Sequence, residues 1–231
     1  MLKIGGFQKV TLLDYPGAVA ANIFFAGCNF RCGFCHNPDL VEIKPETEFI
    51  PVKDVLAFLA KRQGLLEAVC LGGGEPLLQA DLADFLTKIK TLGYLIKLDT
   101  NGYNSTLLQE LLDLKLVDYI AMDIKASLAK YPEVVGQKID VNKILQSIKI
   151  IKNSGINYEF RTTVLPKYHN LEEIEKIAKM IAGAEKYYLQ RFNNRKTYDP
   201  NFRAEMAYPD EDLEKMQQLA LKYVKNCQIR G

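Results

Sequence analysis

Three cysteines within eight residues, Cys28, Cys32 and Cys35, are the side chains of this chain best suited to chemistry. They stand with C-x3-C-x2-C spacing in Gly27-Cys28-Asn29-Phe30-Arg31-Cys32-Gly33-Phe34-Cys35-His36-Asn37-Pro38. Thiolates are soft ligands that suit iron–sulfur clusters or zinc. Three of them can wrap three irons of a cubane and leave the fourth iron open to a substrate, whereas a pure electron carrier normally closes all four positions with cysteine. Zinc would need a fourth protein ligand. His36 adjoins Cys35, and neighbouring side chains rarely close on one tetrahedral ion, while His169 serves only if the fold carries it across. The spacing favours iron–sulfur over structural zinc, with a reactive thiol third.

The remaining cysteines read differently. Cys70 lies in the apolar run Glu67-Ala68-Val69-Cys70-Leu71, and Cys227 follows a helical pattern near the C-terminus. Both have the character of buried, inert thiols. An odd count of five, three of them clustered, fits a reducing compartment and a metal site better than a secreted disulfide framework. Hydrophobic residues at 48%, charged residues at 25% and a net charge of +2 describe an ordinary globular chain with no bias towards nucleic acid or membranes. The N-terminus lacks a secretory apolar core, and the apolar stretch 18–26 is far short of the ~20 residues that span a bilayer. The expectation is a cytoplasmic protein.

The elements that must position the cysteines alternate along the chain. Short apolar runs at 19–25, 68–71, 95–99, 119–123, 158–163 and 187–190 read as strands. Patterns of helical period at 52–63, 82–92, 105–112, 141–153, 171–182 and 210–225 lie between and after them. Ile144, Ile148 and Ile151, and Leu82, Phe85, Leu86 and Ile89, mark apolar helix faces. Asn170 and Asp210 suit N-caps, and Gly93 and Gly155 suit C-terminal stops. Alternation of this kind implies parallel βαβ units in an α/β fold. Without internal repeats or a linker rich in Gly, Ser or Pro, the chain is expected to form one domain over 1–231, an open barrel in preference to a doubly wound sheet.

The unusual polar and glycine-rich segments nearly all sit where these strands end: 27–35, 72–76, 99–102, 123–125, 161–166 and 191–194. In parallel α/β folds such ends converge on the face where ligands bind. The pattern predicts one site built from six loops.

At these positions the chain resembles the radical S-adenosylmethionine enzymes. Phe34 before the last cysteine completes that family's signature, and Cys35-His36-Asn37-Pro38 is similar to the version in glycyl-radical enzyme activases. Gly73-Gly74-Glu75-Pro76 matches the second motif, and Asp99-Thr100-Asn101-Gly102 and Asp123-Ile124-Lys125 match segments of the activases. The likeness runs from Asp14-Tyr15-Pro16-Gly17 to the sixth strand. Within the family it is nearest to activases of anaerobic ribonucleotide reductase, with pyruvate formate-lyase activases next.

The resemblance implies a partial (β/α)6 barrel, one [4Fe–4S] cluster on Cys28, Cys32 and Cys35, and S-adenosylmethionine chelating the open iron. It implies that Gly73 and Gly74, with Glu75, meet the methionyl group. Lys125 would pair with the cofactor carboxylate, and Asp99 or Asp123 would face its amino or ribose groups or hold a monovalent cation. Phe34 and His36 would lie by the adenine, and Arg161, a charge inside an apolar strand that needs a partner, would bind carboxylate or ribose. Each has a plainer reading beside it: a tight turn for the glycines, strand-end turn residues for the acids and lysine, packing for Phe34 and His36, a structural ion pair for Arg161. The sixth loop, Arg191-Phe192-Asn193-Asn194, lacks the histidine that pyruvate formate-lyase activases carry there.

By the same resemblance the products are methionine and a 5′-deoxyadenosyl radical, which takes a hydrogen atom from a glycine of a partner enzyme. That partner would be anaerobic ribonucleotide reductase, and the electron donor flavodoxin or ferredoxin. A small-molecule radical enzyme of the 7-carboxy-7-deazaguanine synthase kind and a zinc-stabilised binding protein are the rivals. The basic run Lys186, Arg191, Arg195, Lys196 and Arg203 is interrupted by Asp199 and Glu205 and matches no nucleic-acid module, so it reads as a solvated rim or a docking edge.

Overall fold

The computed structural model describes residues 1–231. Eight strands form one sheet whose spatial order follows chain order. They are β1 (Ile4–Thr11), β2 (Ala20–Phe25), β3 (Ala68–Gly73), β4 (Leu95–Thr100), β5 (Tyr119–Asp123), β6 (Asn157–Val164), β7 (Tyr187–Arg191) and β8 (Cys227–Arg230). Strands β2 to β7 are the six expected from the apolar runs, with ends shifted by one or two residues. The helices are α1 (Pro38–Val41), α2 (Val52–Ala60), α3 (Leu82–Thr91), α4 (Ser105–Asp113), α5 (Tyr131–Val135), α6 (Val141–Asn153), α7 (Leu171–Met180) and α8 (Asp210–Ala220). The α/β class and the (β/α)6 repeat are as expected; β1 and β8 are additions at the two sheet edges.

Contacts divide the chain into two compact units: residues 1–29 with 39–120, and residues 30–38 with 121–231. In the first, β1 pairs antiparallel with β2, and β2, β3 and β4 run parallel in register. The β2 run Ala-Ala-Asn-Ile-Phe-Phe and the β3 run Ala-Val-Cys-Leu-Gly-Gly are buried almost throughout, as strands covered on both faces must be. Leu82, Phe85, Leu86 and Ile89 form the buried face of α3, and Gly93, with φ of 87°, ends that helix in the left-handed region. Tyr15 packs with Ala20, Ala68, Cys70 and Tyr119, so Cys70 is a core residue; burial pushes its thiol up to about 12.

In the second unit β6, β7 and β8 are parallel. Ile144, Ile148 and Ile151 bury the inner face of α6, and Asn170 caps α7 by accepting from the Glu173 N–H at 2.9 Å. Two expectations need correction here. Pro209, not Asp210, is the N-cap of α8, so Asp210 is the first helical residue, where its charge suits the helix dipole. The helix also stops at Ala220 rather than 225, because the chain turns so that the Lys225 N–H reaches Ala184 O at 2.9 Å. Cys227 therefore opens β8 and does not continue a helix, and burial raises its thiol to about 12.

Candidate active site

In the first unit the chain leaves β2 through Gly27, whose φ of 93° needs a glycine. Gly27 N–H donates to Leu40 O at 2.8 Å and Cys28 N–H to Val41 O at 3.0 Å, so the entry to the cysteine segment is tied to α1. The glycines after β3 are fitted against the same segment. Gly74 N–H donates to Phe25 O at 2.7 Å and Glu75 N–H to Gly27 O at 2.8 Å. A Cβ on Gly74 would stand 2.2 Å from Gly27 O, and one on Gly73, at φ of 101°, 2.6 Å from Phe25 O. Close approach of backbone to backbone thus accounts for both glycines.

Glu75 is buried, and its carboxylate is an internal tie. One oxygen accepts from the Leu77 N–H at 3.1 Å and the Thr100 hydroxyl at 2.6 Å, the other from the Asn101 N–H at 2.7 Å. It fastens the 99–102 turn to the glycine segment. Asp99 pairs with Lys97, a lysine buried inside β4. Sequence reasoning passed over Lys97, yet the signal was present: a charge between Ile96 and Leu98 in an apolar strand needs an acid, and residue 99 points to the same face.

In the second unit, residues 30–38 are held by Arg31 N–H to Val135 O at 2.7 Å and Asp199 N–H to Gly33 O at 2.9 Å, and Cys35 N–H closes a turn on Cys32 O at 3.0 Å. Phe34 is buried, with ring centroids of Tyr168 and Phe202 each 6.2 Å away and Lys125 Nζ 6.0 Å from its centroid. Ordinary packing therefore explains its burial. His36 lies beside Phe192, with centroids 5.9 Å apart, and burial lowers its pKa, with Lys125 adding to the effect.

Asp123, Lys125 and Arg161 form one ion cluster. Lys125 Nζ is 2.9 Å from one Asp123 oxygen and Arg161 Nε 2.8 Å from the other. The partner that Arg161 required is this aspartate. Burial works against its charged form, but the Arg161 and Lys125 cations outweigh that and hold the Asp123 carboxyl well below the usual range. Lys125 is raised in turn: burial opposes its charge, while Asp123 and the Cys32 and Cys35 thiolates favour it. A carboxyl depressed by folding contributes stability above its unfolded value, near pH 4, that is lost as pH falls towards the folded one. Asp123→Asn is expected to cost about 3 kcal/mol near neutral pH, because it leaves two largely covered cations, Lys125 and Arg161, uncompensated. Urea unfolding should show the gap between parent and variant narrowing below about pH 4, where the carboxyl of the unfolded parent takes up a proton that the folded one still excludes.

All five cysteines are thiols rather than disulfides. Three thiols are the soft donors that an iron–sulfur cluster takes, and the Lys125 cation interacts with the charge of two of them, Cys32 and Cys35, so the donor set fits such a cluster. His169 does not suit zinc. Its Nδ1 accepts from the Leu165 N–H at 3.1 Å and its Nε2 bonds to Lys125 O at 2.8 Å, so both ring nitrogens are committed to backbone.

The radical SAM superfamily matches residues 22–181: the chain belongs to that superfamily. Its group is that of the glycyl-radical enzyme activating enzymes. A protein of Methanocaldococcus jannaschii, provisionally named glycyl-radical enzyme activating enzyme, is 34% identical over 98% of this chain and 95% of its own. The pyruvate formate-lyase-activating enzyme of Clostridium pasteurianum is 29% identical over 80% of both. Among solved structures, Streptococcus suis SuiB bound to S-adenosylmethionine shares the fold with a TM-score of 0.68 and 17% identity, over 88% of this chain and 48% of that one. The chain is an enzyme of a family that works with a [4Fe–4S] cluster and S-adenosylmethionine. No helix is long and apolar enough to cross a membrane.

Proposed function

We propose that Cys28, Cys32 and Cys35 hold the [4Fe–4S] cluster, and that the chain installs a glycyl radical on anaerobic ribonucleotide reductase. When bound, cluster and S-adenosylmethionine together supply the one-electron cleavage that yields a 5′-deoxyadenosyl radical. The observation that carries the reading is Lys125: a partly buried cation, paired with Asp123, that interacts with the charge of two of the three cysteines. It supports the thiolate ligands and offers positive charge to a carboxylate arriving with the cofactor.

Both Asp123 oxygens already have cationic partners. This favours Asp123 as the residue that orients Lys125 and Arg161 over its use as a monovalent cation ligand. Asp99, paired with Lys97, is the acid left for the amino or ribose groups or a cation. Gly73 and Gly74 would offer main-chain atoms to the methionyl group, and Glu75 would keep that segment in place. Phe34 and His36 would border the adenine, with Phe192, which lies beside His36, or Asn193 in place of the histidine of pyruvate formate-lyase activases.

The partner assignment rests on the likeness of the motifs to activases of anaerobic reductases, with flavodoxin or ferredoxin as donor in a reducing, cytoplasmic setting. The chain, loaded with iron and sulfide, should be incubated with S-adenosylmethionine, reductant and either anaerobic ribonucleotide reductase or pyruvate formate-lyase. Electron paramagnetic resonance should show a glycyl radical on the reductase. A radical on the lyase alone would reassign the partner. Brisk cofactor cleavage with neither protein radicalised would point to a small-molecule substrate.

A further inference from the structure

Asn101, which the proposed roles leave unused, is buried with its backbone N–H and both ends of its side-chain amide engaged. Its N–H donates to Glu75 Oε2 at 2.7 Å, and its Oδ1 accepts from the Tyr103 N–H at 2.9 Å. Its Nδ2 donates to Asn29 Oδ1 at 2.8 Å and to Cys28 Sγ at 3.9 Å, a long contact that sulfur permits. The network fixes which way the amide faces. Flipping it would set oxygen against Asn29 Oδ1 and an NH2 group against the Tyr103 N–H, losing both bonds. The donor is therefore held towards Cys28 by three other hydrogen bonds, one of them to the buried Glu75 carboxylate.

Resting on the assignment of Cys28 as a cluster ligand, we propose that Asn101 is a positioning residue that sets the reduction potential of the cluster through a hydrogen bond to the Cys28 sulfur. Hydrogen bonds to ligand sulfurs are among the levers on cluster potential, and outer partners orient the ligands they touch. An N–H donor stabilises the more negative, reduced cluster more than the oxidised one. Removing it makes the potential more negative and reduction harder. Glu75 is the anchor of this arrangement, which gives its burial a purpose that contact with the cofactor would not require.

The test compares parent, Asn101→Leu and Asn101→Asp, each loaded anaerobically with iron and sulfide and titrated potentiometrically, with the reduced cluster read by electron paramagnetic resonance. Asn101→Leu is expected to lower the reduced-to-oxidised ratio at a fixed poise by about tenfold, equivalent to about 59 mV for one electron. Asn101→Asp keeps the acceptor for the Tyr103 N–H but replaces the donor with a negative charge, so its shift should be larger in the same direction. Potentials that coincide with the parent in loaded variants would overturn the proposal. So would loss of the cluster from both variants with the fold intact by circular dichroism, since Asn101 would then serve only the architecture of the loop. If Asn101→Leu alone fails to load, Asn101→Asp decides. A parent chain that takes up no iron would overturn the ligand assignment itself, an outcome the titration cannot mimic.

Discussion

Alanine at Cys28, Cys32 or Cys35 is expected to leave a folded chain that no longer retains four irons and whose cleavage of S-adenosylmethionine falls to background. The loss should exceed about a hundredfold, because outer partners of metal ligands alone are commonly worth about 10–100-fold. The fold should survive, since Cys28 and Cys35 are only partly buried and their segment is held by main-chain bonds to Val41 O and Cys32 O rather than by thiol packing. Cys70→Ala and Cys227→Ala are the controls. Both thiols are buried and pushed up to about 12, so they are packing groups, not ligands, and their alanine variants should load iron as the parent does. Their expected effect is on stability, about 1 kcal/mol for a small core truncation. Iron and sulfide analysis of the five variants, with 5′-deoxyadenosine measured by chromatography, separates the two groups. Iron retained by Cys32→Ala but lost from Cys70→Ala would refute the assignment.

Gly74→Ala is expected to do comparable damage without touching a ligand. The added Cβ would lie 2.2 Å from Gly27 O and 2.9 Å from Leu40 O, both main-chain atoms that no rotamer change can move aside. Relief requires the 73–75 turn to separate from the segment that leads into Cys28, and with it the bonds from Gly74 N–H to Phe25 O and Glu75 N–H to Gly27 O. Overpacking of this kind costs about 1–3 kcal/mol, and two broken buried bonds add to it. About 3 kcal/mol corresponds to a fall in Tm of roughly 6–12 °C for a chain of this size. Cluster loading should fall with it, because Cys28 is the next residue after the displaced Gly27. A Gly93→Ala control, at a positive-φ helix stop with no atom near the added Cβ, should show only the smaller cost of its backbone conformation. If Gly74→Ala melts and loads like the parent, the close approach described here is wrong.

The parts of the fold that were legible in the sequence are those whose signal is local. β2 and β3 are uninterrupted apolar runs, and α3 and α6 repeat buried residues at helical spacing. β1 carried no such signal: Gly5, Gly6, Gln8 and Lys9 break its apolar pattern, much of it is exposed, and two register irregularities interrupt its pairing with β2. β8 has only four residues at the end of a helical pattern, and the turn that separates them depends on a bond to Ala184, far away in sequence.

The site was legible by residue type but not by pairing. Spacing exposed the three cysteines, and the rule that buried charges need partners singled out Arg161. That its partner is Asp123, which Lys125 shares, follows from β5 and β6 being neighbours in the sheet, a tertiary fact. Glu75 was visible only as part of a motif. Its three internal hydrogen bonds come from Leu77, Thr100 and Asn101, two of them on a different strand end.

The central claim concerns what the three clustered thiols hold. Protein purified without oxygen and loaded with iron-57 and sulfide should contain four irons and four sulfides per chain. Its Mössbauer spectrum should change at one iron when S-adenosylmethionine is added, and dithionite should then release 5′-deoxyadenosine. Colourless protein that binds zinc and no sulfide, or a cluster whose four irons are all indifferent to S-adenosylmethionine, would contradict the account.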